Sequence, residues 1–183
     1  MEINPYKRQG QMDTLQSYYY TDSIFEMKHL LVDDNMKMII IDSWKYLVQT
    51  NKIIIYGFVI MPNHIHLIWN MLDLNKKESP AGSFAKFTAH QFQKYLRVND
   101  PEKLKNYVSQ KTDRKYQFWK RDLLAVILNS GKSFLQKLNY IHNNPVTEKW
   151  QLSVTPEDYK WSSAKFYESG IDEFGIVLII GCR

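Results

Sequence analysis

Apolar positions along the chain change period several times, and each change marks a predicted element. Between Asp33 and Thr50, Met36, Ile39, Ile40, Trp44 and Leu47 recur at helical spacing. A helix over residues 33–50 follows, with Asp33 or Asp34 as its N-cap. Residues 52–61 are rich in Ile, Tyr, Phe and Val and read as a strand. Met61-Pro62-Asn63 signals a turn, and residues 64–71 return as a second, antiparallel strand. Beyond a polar loop at 73–82, Ser83 is placed as the cap of a helix running to about Leu96. Pro101 starts a short helix, and Lys115 to Lys120 read as a short strand. Ser130 or Ser133 begins a helix that must end near Pro145, because proline lacks an N–H and keeps the residue before it out of helical geometry. Ser162 to Tyr167 suggests another short helix, and Phe174 to Ile180 an edge strand. Residues 1–22 read as an irregular lead-in, with Tyr18-Tyr19-Tyr20 opening a strand. With no internal repeat or low-complexity segment, one domain over 1–183 is the simplest organisation.

The returning strand carries two polar interruptions. His64 and His66 flank Ile65 inside the run Tyr56-Gly57-Phe58-Val59-Ile60-Met61-Pro62-Asn63-His64-Ile65-His66-Leu67-Ile68-Trp69. Residues i and i+2 of a strand share a face, so the two imidazoles project side by side while Ile65 enters the core. Two adjacent imidazoles on a rigid strand make half of a divalent-metal site. Spacing alone leaves a hydrogen-bonded pair of strand histidines equally open.

Composition narrows the setting. At 183 residues, 44% hydrophobic and 23% charged, the chain is ordinary globular material, long enough to bury a core. No apolar run approaches the roughly 20 residues needed to span a bilayer, and Met1 to Arg8 lacks a secretory apolar stretch. A single cysteine, Cys182, excludes an internal disulfide and a cysteine zinc site, leaving a cytoplasmic protein as the default. The net charge is +5, unevenly spread. Residues 76–121 hold 12 of the 24 basic and 4 of the 19 acidic residues, a local +8 against −3 elsewhere. Aromatics interleave with this segment, among them Phe84, Phe87, Phe92, Tyr95 and Trp119. Such a mixture can neutralise phosphates and stack on unpaired bases, although charge alone favours a solvated face. Lys86, Lys94, Arg97, Lys120 and Arg121 are the candidate phosphate contacts here.

The helix before Pro145 supplies further chemistry. At about 100° per residue, Phe134, Leu138 and Ile141 form one stripe, while Ser133, Lys137, Tyr140 and Asn144 share a neighbouring polar face. Tyr140 and Asn144 are an i,i+4 pair, so a phenol and an amide oxygen project together. A tyrosine oxygen can attack phosphorus when a metal polarises the phosphate. Two imidazoles and one amide oxygen form a neutral ligand set, expected to bind Mg²⁺ weakly and Mn²⁺ somewhat better.

The string Met61-Pro62-Asn63-His64-Ile65-His66-Leu67 resembles the His-hydrophobic-His (HUH) motif of single-tyrosine transposases. Tyr140-Ile141-His142-Asn143-Asn144-Pro145-Val146 resembles their catalytic helix in the form used by REP-associated tyrosine transposases. Phe118-Trp119-Lys120-Arg121 and Pro156-Glu157-Asp158-Tyr159-Lys160-Trp161-Ser162-Ser163-Ala164 fit the same branch, so that the likeness spans about residues 50–168. The resemblance implies an α+β fold with a central antiparallel sheet and packed helices, of the HUH-endonuclease, ferredoxin/RRM-like kind. It implies His64, His66 and Asn144 as ligands of Mg²⁺ or Mn²⁺, and Tyr140 as the nucleophile that forms a 5′-phosphotyrosine and frees a 3′-OH. The implied partner is single-stranded DNA bearing a hairpin or palindrome. The implied setting is a bacterial cytoplasm, acting at the nucleoid, as a monomer or homodimer and without a membrane. An autonomous transposase and a domesticated nuclease need the same residues; a DNA-binding protein with a degenerate site does not. The chain departs from the pattern after Val146, where many relatives have a basic or small residue and glycine. Here Thr147-Glu148-Lys149-Trp150 follows, and Glu148 brings negative charge towards a phosphate site. Lys137 shares the face of Tyr140, as a phosphate contact or a solvated lysine. His29, His90 and His142 have no partner by sequence, and Tyr18, Tyr19 and Tyr20 are assigned to the sheet.

Overall fold

The two apolar runs and the turn that predicted a hairpin over residues 52–71 build one side of a five-stranded sheet. A computed structural model describes residues 6–7, 12–14, 16–75, 77–121 and 124–178. Its strands are β1 (Tyr6–Lys7), β2 (Ser17–Ser23), β3 (Ile53–Ile60), β4 (His64–Met71) and β5 (Leu124–Ile127). They lie in the order β1-β5-β2-β4-β3, and every neighbouring pair is antiparallel. The helices are α1 (Asp34–Gln49), α2 (Pro80–Asn99), α3 (Pro101–Lys105), α4 (Gly131–Asn143) and α5 (Ala164–Ser169). This is the α+β class expected from the sequence. No helix among the described residues is long and apolar enough to cross a membrane.

Side chains alternate across the sheet. Tyr18, Tyr20, Phe58, Leu67 and Trp69 face the layer of α1 and α2, where the Trp44 ring lies 5.4 Å from Phe58 and 5.8 Å from Phe84. Tyr19, Thr21, Gly57, His64 and His66 face the opposite way, towards α4. Helix α1 starts where the sequence places it. The Asp33 carboxylate accepts the Asn35 N–H at 2.9 Å, and Met36, Ile40, Trp44 and Leu47 are buried.

Helix α2 begins earlier than its predicted cap at Ser83. Ser79 is the N-cap, accepting the Gly82 N–H at 3.1 Å, and Pro80 takes the first turn, where its missing N–H costs nothing. The expected strand at 115–120 makes only isolated bridges, Tyr116 to Val108 and Trp119 to Ile24. Phe118 and Trp119 are spent on packing against Phe92 and Phe84 instead. The strand actually added is β5, four residues between β1 and β2, too short to show a period. Tyr18 to Tyr20 belong to a full strand of seven residues. The outer edge of β3 is covered by the chain from 161–163 and 177–178. Ile60, Phe58 and Ile55 bond Trp161, Ser163 and Leu178 through the backbone at 2.8–3.0 Å, which blunts an otherwise open edge. The predicted 174–180 edge strand thus reduces to one parallel bridge, Val177 to Ile55, and its end lies outside the described residues.

Candidate active site

Helix α4 is seated on the sheet by a missing side chain. A Cβ at Gly57 would lie 2.6 Å from Leu138 Cδ1 and 3.2 Å from Ile141 Cδ1. The strand therefore accepts the two buried residues of the α4 stripe directly. Ser130 opens the helix with a capping box to Ser133, so both serines named from the sequence take part. His142, on the inner side, meets Ser163 Oγ through Nε2 at 2.8 Å and is buried. Its role is to tie α4 to the segment beside β3. Tyr140 is left on the outer side, 51% exposed, its ring 5.4 Å from His66 and 6.2 Å from Tyr19.

The two imidazoles project side by side, their rings 4.7 Å apart. Each is held at Nδ1. Asn63 donates its amide Nδ2 to the Met27 carbonyl at 3.0 Å, which aims its Oδ1 at His64 Nδ1, 2.7 Å away. An amide oxygen only accepts, so His64 carries its proton on Nδ1 and keeps a lone pair on Nε2. His66 Nδ1 lies 2.8 Å from Thr21 Oγ1 and 2.9 Å from the Tyr19 hydroxyl. Its Nε2 is buried without a hydrogen-bond partner. Burial, assisted by Lys149, lowers the His64 pKa to about 4. Burial, then His64 and Lys137, lowers that of His66 to about 3. Both rings are neutral at neutral pH, the form in which imidazole ligates metals.

Asn144 ends α4 in helical geometry (φ −56°, ψ −44°) and is buried. Its backbone carbonyl accepts from Thr147 N–H and hydroxyl at 3.3 and 2.8 Å, but its carboxamide bonds nothing among the described residues. The neighbouring Asn143 carboxamide, by contrast, donates to the Asn139 carbonyl at 2.8 Å. His64, His66, Tyr140, Asn144, Lys149 and Trp150 line a single cavity of about 410 Å³. Among the described residues no group of three or more His, Cys, Asp and Glu could hold a metal. The donors here are two imidazoles and one amide. The orphaned Nε2 of His66, the open Nε2 of His64 and the uncommitted Asn144 amide are a neutral donor set of the kind that could hold a divalent cation weakly.

Lys137 places its ammonium 4.5 Å above the Tyr19 ring and 5.7 Å from that of Tyr140, beside the cavity and not among the residues that line it. The exposed Lys120 donates its own backbone N–H at 2.8 Å to the carbonyl of Ser23, which sits across from His64. Arg121 pairs with Asp113 at 2.7 Å and Lys86 with Glu78 at 2.8 Å. Lys86, Lys94 and Arg97 ride on α2, behind the sheet, and are not brought to the cavity. Glu148, the departure that threatened the site, does not line it; Lys149 does. Three residues escaped the sequence reading. Asn63, Thr21 and Tyr19 orient the imidazoles, and only Asn63 had a signal, its place in the string before His64. Tyr19 serves the sheet, as assigned, and also holds His66.

No family model and no curated protein matches this chain. Among solved structures, a REP-associated tyrosine transposase bound to a REP hairpin superposes with a TM-score of 0.58 at 16% identity, over 95% of this chain and 88% of that one. A Deinococcus radiodurans protein described as a transposase gives 0.43 at 18% identity over 75% and 95%, too low to carry an argument. The chain therefore shares the overall fold of a REP-associated tyrosine transposase structure.

Proposed function

We propose that this chain is a divalent-metal-dependent endonuclease and strand transferase of the transposase type. It cuts single-stranded DNA beside a hairpin and holds the product as a 5′-phosphotyrosine on Tyr140. The observation that carries this reading is the meeting of four unspent groups at one cavity: two open Nε2 atoms, the Asn144 carboxamide, and a Tyr140 hydroxyl without a hydrogen-bond partner among the described residues. The hairpin bound to the neighbour of the same fold supports the choice of substrate.

His64, His66 and Asn144 would hold Mg²⁺ or Mn²⁺, which when bound draws charge from the scissile phosphate and makes phosphorus more electrophilic. Asn63, Thr21 and Tyr19 fix the rings so that Nε2 faces the cavity. Lys137 and Lys149 bring positive charge to a strand lying across it. The Tyr140 oxygen bonds to phosphorus as the bond from phosphorus to the 3′-oxygen breaks. The phenol proton is released to solvent, and the departing 3′-oxygen takes one up. One ester replaces another, so a later 3′-OH can reverse the attack and join strands without ATP.

The test uses a library of DNA hairpins with randomised single-stranded flanks and Mn²⁺, with adducts read on a denaturing gel. Wild-type protein gives an SDS-stable adduct that EDTA prevents. Tyr140→Phe lowers its rate by more than about 1,000-fold while DNA binding persists, and His64→Ala and His66→Ala each abolish cleavage. An adduct formed by Tyr140→Phe, or cleavage unaffected by EDTA, overturns the reading.

A further inference from the structure

Trp150 has no part in the chemistry above, yet it stands in the wall of the same cavity. The site is a row of rings. From Tyr140 the centroids step 5.4 Å to His66, 4.7 Å to His64 and 5.7 Å to Trp150, with His29 a further 6.0 Å on. Along these contacts the two imidazoles come between Tyr140 and Trp150. The indole N–H has no hydrogen-bond partner among the described residues. Among the described residues the only cation over its ring is Lys149, 5.1 Å from the centroid and on a flexible stem. The cavity, at about 410 Å³, falls within the roughly 300–1,000 Å³ of pockets that enclose a small organic ligand, more than a bare phosphate fills.

We infer that Trp150 is the stacking platform for one nucleobase, that of the nucleotide immediately 5′ of the cut. The inference rests on the reading of Tyr140 as the nucleophile. Displacement at phosphorus keeps the attacking and leaving oxygens roughly in line. With the phosphate over the imidazoles and Tyr140 attacking from one end of the row, the leaving 3′-oxygen points to the other end, towards Trp150. The nucleotide that bears this oxygen is the 5′ neighbour, and its base is the unpaired ring nearest the indole. Stacking requires only a π-face, so any base is accepted but an abasic sugar is not. Lys149, displaced from the indole, falls beside that nucleotide's own phosphate. The platform also keeps the released 3′-OH next to the phosphotyrosine, where it can be rejoined.

The experiment begins with the cleavage position, found by sequencing wild-type adducts from the randomised hairpin library. A cleaved hairpin is then resynthesised with an abasic residue at each flanking position in turn. For wild-type protein, the abasic residue 5′ of the cut lowers single-turnover cleavage about 10-fold or more. Abasic residues further upstream change it less than about 2-fold. Trp150→Leu, which keeps apolar bulk, shows the loss on the intact hairpin and no further loss on the abasic one. Trp150→Phe retains most of the wild-type rate. Wild-type adducts whose yield ignores both Trp150 and the abasic position overturn the stacking role alone. No wild-type adduct from any library member overturns the reading of Tyr140 and the platform with it.

Discussion

Asp22 and His142 are interior groups with opposite demands on pH. Asp22 is 2% exposed, on the face away from the site, and accepts from the Tyr20 hydroxyl at 3.1 Å and the Ser23 N–H at 2.8 Å. Desolvation outweighs both bonds and raises its pKa to about 7. The folded chain thus binds a proton that the unfolded chain has lost. This contribution is full below about pH 4 and disappears as pH rises through 7, up to about 4 kcal/mol. His142 is the reverse: burial lowers its pKa to about 4, so stability present above about pH 6.5 is lost as pH falls towards that value. Asp22→Asn removes the charge and keeps an oxygen for the Ser23 N–H and a donor for Tyr20. Thermal denaturation is expected to place the variant several degrees above wild type at pH 8, with a gain less than half as large at pH 5. An equal difference at both pH values would show that Asp22 is not neutral in the fold.

At the scale of elements, the site depends on how deeply α4 sits. Leu138 and Ile141 rest over Gly57, and the same helix turn carries Tyr140 to within 5.4 Å of the His66 ring. Gly57→Val would force α4 outward or the leucine into another rotamer, costing about 1–3 kcal/mol. Tyr140 would retreat from the imidazoles with the helix. Adduct formation with labelled hairpin DNA is expected to fall by about 100-fold or more at a temperature where circular dichroism still reports a folded chain. Full activity in a folded variant would show that α4 can reach the strand without its glycine seat.

Across the whole molecule, basic residues lie on both sides of the sheet. Three of the twelve basic residues of 76–121, Lys86, Lys94 and Arg97, ride on α2, on the face turned from the cavity, whereas Lys149 lines the cavity and Lys137 lies beside the Tyr140 ring. Single-strand binding loses about 0.7 from the slope of log K against log salt for each phosphate contact removed. Lys137→Ala with Lys149→Ala should therefore flatten the slope by about 1.4, and Lys94→Ala with Arg97→Ala should leave it nearly unchanged. Fluorescence anisotropy of a labelled single strand, between roughly 50 and 200 mM salt, checks both. A flatter slope in the α2 pair would bring the back of the sheet into the interface.

The elements that read clearly in the sequence were those whose own period declares them. The α1 stripe, the β3–β4 hairpin, the shared face of His64 and His66, and the pairing of Tyr140 with Asn144 all depend on geometry within one segment. The four residues of β5 could not be found in this way, because so short an apolar run has no period and is a strand only through its partners β1 and β2. Nor could the orientation of His66, which Thr21 and Tyr19 supply from another strand, or the closeness of α4, which an absent side chain at Gly57 permits. Trp150 followed a motif as an unexplained departure, and only folding brought it into the same cavity as Tyr140. Local periodicity follows from backbone geometry along neighbouring residues, while these contacts join residues tens of positions apart, which only the packed chain brings together.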